Sequence, residues 1–317
     1  KEYRCHDEDA EGWHVCGDGV QQEAEACDDG NRLTERCRFD DEGCEICNEA
    51  CERVVGALSL CGNGALDEAD GEACDGSLAC DESCQFHSTV STVRGVTFHE
   101  QEIPAMDGQE PFLMMRTEVT QELYQAIMYR NPSHFEGESR PVENVNWEDG
   151  IRFANALSSA MGLEPAYDGD DNDAVLIEDA NGFRYPFSID WYRAATCGDE
   201  YEYAGGDILD VVAWYEENSA GETHPVASKR ANSCGLYDMM GNVSEWTADD
   251  YDRPYRSYHV PGARRMRGYG GCNWGQPAIL CRLSEYAVVS GGYVAIHGEG
   301  WGRRSSHYGL RLVRPLE

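Results

Sequence analysis

The stretch Gly235-Leu-Tyr-Asp-Met-Met-Gly-Asn-Val-Ser-Glu-Trp246 decides how this chain is read. It places two carboxylates, Asp238 and Glu245, seven residues apart around a turn that contains Gly241. On residue type alone these acids cap turns and pair with an arginine.

Working outward, further blocks flank this one in a fixed order. Phe112–Gln121 (FLMMRTEVTQ) is followed by Tyr124, then by Asn131-Pro-Ser-His-Phe135 and Arg140-Pro-Val-Glu-Asn-Val-Asn-Trp147. Next come Asn181-Gly-Phe-Arg-Tyr-Pro186 with Trp191 and Ala194-Ala195, then Val212-Ala-Trp-Tyr215, Asn218-Ser219 and Thr223-His-Pro-Val226. Gly309-Leu-Arg-Leu-Val-Arg314 closes the series. In content and order these blocks resemble the formylglycine-generating enzyme, or sulfatase-modifying factor, family across nearly all of residues 95–317. The resemblance implies an α+β fold related to C-type lectins, with little regular secondary structure. It implies a structural calcium held by the side chains of Asp238 and Glu245 and the backbone carbonyls of Gly241 and Val243. His134 and His224 fall in family blocks and read as structural.

The enzymes of that family oxidise a substrate cysteine with Cu(I) held by two cysteines, a soft ion on soft thiolates. Here the corresponding region runs Arg267-Gly-Tyr-Gly-Gly-Cys-Asn-Trp-Gly-Gln-Pro-Ala-Ile-Leu-Cys-Arg282. Cys281 stands near the family's second cysteine. Gly275 stands where the first would be, and Cys272 where the family has a serine. The pair is therefore nine residues apart rather than five. Three readings of Cys272 and Cys281 remain open: a structural disulfide (to each other, or to Cys197 or Cys234), a copper site with both as catalytic residues, or an inert thiol. Arg267 and Arg282 are the nearby positive charges that a reactive thiol would need.

Eleven of the 15 cysteines lie in the first 87 residues. That density exceeds the roughly 8–10% marking a disulfide scaffold, and such scaffolds persist in oxidising compartments. Within this head, Cys16-Gly-Asp-Gly and Glu25-Ala-Cys27-Asp-Asp-Gly-Asn31 recur as Cys61-Gly-Asn-Gly and Glu72-Ala-Cys74-Asp-Gly-Ser77. The repeat resembles cysteine-rich modules of secreted and surface proteins of myxobacteria. We expect disulfides to stand in for a core there, and an extracellular or cell-envelope location. An odd cysteine total permits an intermolecular bridge and thus self-assembly.

The formal charge is −34, from 59 acidic and 25 basic residues. This repels phosphate backbones, so nucleic acid is not an expected partner. No apolar run approaches the roughly 20 residues of a membrane-spanning helix, and Lys1–Glu11 lacks a signal-peptide pattern, so the chain reads as a processed, exported form.

The division expected is a head at 1–87, a linker at 88–94 and the large domain at 95–317. A strand is expected over Gly95–Glu100. Helices are expected over Thr120–Arg130, Asn146–Met161 and Asp190–Thr196, the first two capped by Thr120 and Asn146. Asp168–Asp173 reads as an acidic turn. Because the cysteine pair is displaced, the favoured function is a binding or assembly scaffold. Trp274, Tyr293, His297, Trp301 and Arg303 would then face a protein, peptide or glycan. The alternative is a copper-dependent formylglycine-generating oxidase.

Overall fold

A computed structural model describes residues 45–47, 53–55, 88–106, 108–171, 173–250, 266–286, 288–289, 293–294, 297–300 and 304–316. The chain divides into two units, Lys1–Gln85 and Phe86–Glu317. In the first, strand β1 (Glu45–Cys47) pairs antiparallel with β2 (Arg53–Val55). The cysteine-rich repeat lies outside the described residues.

The second unit begins with a correction. Ser88–Val93, expected to be a linker, is strand β3, paired along its length with β4 (Val96–Ile103). Its alternating Ser, Thr and Val suit a pleated edge, with Ser91 and Val93 buried and Thr92 exposed between them. β5 (Phe112–Met115) joins β4, and β14 (Val313–Pro315) joins β5, giving an antiparallel sheet of order β14-β5-β4-β3.

Helices α1 (Gln121–Met128) and α2 (Trp147–Ala160) follow. Their caps act as the sequence predicts. Thr120 accepts from the Leu123 amide, and Asn146 and Asp149 form a reciprocal capping box. The acidic turn joins the two-residue strands β6 (Tyr167–Asp168) and β7 (Val175–Leu176). α3 (Ser188–Thr196) starts two residues before the expected helix, and α4 (Leu209–Val212) is a single turn.

A second sheet has the order β12-β9-β8-β13. It is built from β8 (Ser244–Asp250), β9 (Met266–Gly270), β12 (His297–Gly300) and β13 (Tyr308–Gly309), with β13 parallel to β8. β10 (Val288–Val289) and β11 (Tyr293–Val294) form a separate antiparallel pair.

Aromatic packing ties the helices to the second sheet. Tyr124 stacks on Phe153, and Trp147 on Tyr185, while Trp246, Tyr269 and Tyr308 contact one another. Gly150 makes one of these contacts feasible: a Cβ there would lie 1.6 Å from Tyr185 Oη. Tyr185 donates that hydroxyl to the Trp147 carbonyl, so its buried polar tip is satisfied. The core and the paired strands thus fix the 235–246 block from both sides.

Candidate functional site

The block folds through a backbone that ordinary residues rarely adopt. Asp238 and Asn242 have φ of 57° and 54°, and Gly241 has 86°. At Gly241 a side chain is excluded outright, because its Cβ would meet Trp214 O at 2.3 Å. From this turn Asn242 donates to Glu118 Oε2 at 2.8 Å, and the Val243 amide donates to Glu118 Oε1 at 3.0 Å. β8 then carries Glu245 into the interior.

Glu245 is almost wholly buried. Its Oε1 accepts from Arg311 Nε and Nη2 at 2.8 and 2.7 Å, and its Oε2 accepts from Trp191 Nε1 at 2.8 Å. Arg311, equally buried, also donates to the carbonyls of Met115, Arg116 and Tyr237. One of the expected metal ligands is thus an arginine partner.

Asp238 differs. Its Oδ2 accepts from the Ala227 amide at 2.7 Å, while its buried Oδ1 has no partner. Burial pushes the Asp238 carboxyl up to about 6. Burial, followed by the charges of Asp238 and Glu245, pushes Glu118 well above the usual carboxylate range. Three buried carboxylates therefore share one arginine. Among the described residues, no group of three or more His, Cys, Asp or Glu side chains is placed to hold a metal ion together. Any cation here would depend on Asp238, one other carboxylate and backbone carbonyls.

The two cysteine pairs resolve cleanly. Cys272 bonds Cys281 with Cα atoms 5.0 Å apart, and Cys197 bonds Cys234 at 5.6 Å. Cys272 and Cys281 are both fully buried. The nine-residue spacing does not keep them apart, because the 3-10 turn Ala278–Cys281 brings Cys281 back. The expected positive neighbours are engaged elsewhere. Arg282 pairs with Glu202 at 2.7 Å, and the Arg267 guanidinium lies 3.6 Å from the Trp147 ring centroid.

Of the expected binding residues, Trp274 is partly buried. It stacks on His307 at 4.6 Å and meets Phe135 edge to face at 5.3 Å, while its Nε1 donates to the Ser306 carbonyl. Its ring is thus a wall of the structure more than a free platform. Tyr293 lies in β11 and His297 in β12, opposite Val289 and Tyr269. Trp301 and Arg303 lie outside the described residues. His224 stacks on Trp214 at 3.8 Å and His134 packs on Phe135. The sequence reading did not single out Glu118 or Arg311. The signal for Arg311 was an arginine between leucines, Leu310-Arg311-Leu312, where burial forces a charged partner.

The mixed helix-and-sheet domain that holds this turn belongs to a known class. The sulfatase-modifying factor enzyme 1-like domain family matches residues 85–316, and the chain belongs to that family. It is similar to the chaperone protein LppX of Paenibacillus barcinonensis, with 35% identity over 178 residues covering 45% of this chain and 64% of LppX. It is also 36% identical over 93 residues to the formylglycine-generating enzyme of Mycobacterium tuberculosis, covering 25% of this chain and 31% of that enzyme. The chain thus spans less than two thirds of either curated relative. Among solved structures, Treponema denticola variable protein 1 matches with 31% identity and a TM-score of 0.62, over 73% of this chain and all of that one. CarF matches with 32% identity and a TM-score of 0.51, over 66% of this chain and 88% of CarF.

Proposed function

We propose that this protein is an exported or cell-surface binding scaffold that uses the family's lectin-related fold without its oxidase activity. The observation that carries this reading is the Cys272–Cys281 disulfide, sealed from solvent on both sides. A copper oxidase needs two thiolates that reach both metal and substrate, and these sulfurs are bonded to each other. The relatives' names go both ways: one is named a chaperone and one solved neighbour a variable protein, while another relative is named a formylglycine-generating enzyme, so the disulfide carries the reading. The ligand class is a protein, peptide or glycan, with self-assembly through a further cysteine as a variant of the same reading.

The test is peptide mapping of the native protein after mild reductant, followed by Cu(I) titration. A surviving Cys272–Cys281 linkage with no stoichiometric copper supports the scaffold. Stoichiometric Cu(I) lost in Cys281→Ser, with aldehyde appearing on a cysteine peptide, would establish the oxidase instead.

Calcium fits the chemistry of the block. Asp238 has one orphaned oxygen, and three buried carboxylates outweigh one arginine. Asp238 and Glu245 would hold the ion by side chains, and Gly241 and Val243 by carbonyls. Glu245 oxygens already accept protein donors, but a carboxylate has about four acceptor sites. A bound ion would neutralise interior charge. Chelation should then lower the melting temperature, and Asp238→Asn should remove that response.

A further inference from the structure

A cavity of about 340 Å³ opens between β4, the Met115–Leu123 segment and the Val226–Ala227 turn. It contains none of the cysteines and none of the expected binding residues. Its size falls within the roughly 300–1,000 Å³ typical of ligand sites. Apolar walls come from Phe98, Met115, Val119, Leu123, Val226 and the Tyr237 ring.

One wall residue is out of place in so acidic a protein. Arg116 has no carboxylate partner among the described residues, whereas Arg184, Arg311 and Arg314 each hold one. Its Nη2 donates to Tyr237 Oη at 3.0 Å, its guanidinium lies 4.9 Å from the Tyr237 ring centroid, and its buried Nε has no acceptor. A guanidinium presents five donors in a rigid fork that matches a carboxylate, and a buried donor left unmade is costly. The other charged group on the wall, Glu118, accepts from Asn242 and Val243 and, as an acceptor, offers no donor to an anion. Arg116 Nε is closed to solvent, so the donor that this side chain can offer a ligand in the cavity is Nη1, which has no acceptor among the described residues.

We propose that this cavity binds a small carboxylic acid with an apolar, ring-containing body, its carboxylate on Arg116 and its body against Phe98, Leu123 and Tyr237. An apolar cavity of only about 150 Å³ admits benzene, so an aryl acid has room here. His99 and Thr117 also line the cavity.

Phenylacetate serves as the probe and phenylacetamide as its neutral match, titrated calorimetrically into the full chain. The expected result is saturable phenylacetate binding, at least about tenfold tighter than the amide, since hydrogen bonds to charged groups are worth about 1.5–3 kcal/mol. Arg116→Gln should weaken the acid about tenfold and leave the amide unchanged. Val226→Trp, filling the rim, should abolish both while the protein keeps its melting temperature. Absent binding, equal affinity for acid and amide, or an unaffected Arg116→Gln variant would overturn the proposal. If either variant melts early, the acid–amide contrast in the unmodified protein decides.

Discussion

At the residue scale, the buried Glu245–Arg311 pair governs the behaviour of the 235–246 block. Breaking a buried ion pair by removing one partner costs about 3–5 kcal/mol, because the other charge stays desolvated. Arg311→Met is therefore expected to lower unfolding free energy in urea by about that much, and adding Glu245→Gln should recover part of it. Glu143 supplies a pH test away from this cluster. It is fully buried, accepts from the His134 and Phe135 amides through Oε1, and leaves Oε2 without a partner. Burial raises its pKa. A carboxyl raised in the folded state stabilises the fold while protonated, and that stabilisation is lost as pH climbs through the folded value. Relative to Glu143→Gln, the unmodified protein should therefore lose stability as pH rises from the ordinary glutamate range toward the raised folded-state value. That Glu245 would want a positive partner was legible from residue type alone. That the partner is Arg311 was not, because it stands 66 positions away.

At the scale of elements, what is local was readable and what is not local was missed. Thr120 and Asn146 act within three residues of themselves, and both caps lie where the sequence places them. Asn146→Ala should cost about 1 kcal/mol in thermal or urea unfolding. β3 shows the opposite case. Ser88–Val93 is polar enough to pass for a linker, and only the register opposite Val96–Gln101 gives Val93 a buried face while Val90 stays exposed. The disulfides also differ by element. Cys197–Cys234 closes a separation of 37 residues and Cys272–Cys281 one of 9. On a chain-entropy account their loss costs about 4 and about 2.5 kcal/mol respectively. Paired Cys→Ser variants compared by urea unfolding check that order. A smaller loss for the longer loop would show that strain or residual structure outweighs entropy here.

At the scale of the whole molecule, 59 acidic against 25 basic residues set a repulsive background. Screening shortens to about 3 Å at 1 M salt. The melting temperature should therefore rise between about 10 mM and 0.5 M NaCl, where self-repulsion is the screened term. Most of this domain was legible because its blocks run in order along the chain. Pairings across that order were not, and they include the parallel junction of β13 with β8. β14 lies on β5 at the opposite end of the domain's sequence, and Arg314 reaches Glu100 from it. That arrangement has a consequence for synthesis. A ribosome delivers β3, β4 and β5 long before β14, so the first sheet waits with one edge open and Glu100 without its counter-charge. Until β14 emerges that edge is open to wrong pairing, and a truncation removing residues 308–316 should leave the domain unable to close either sheet.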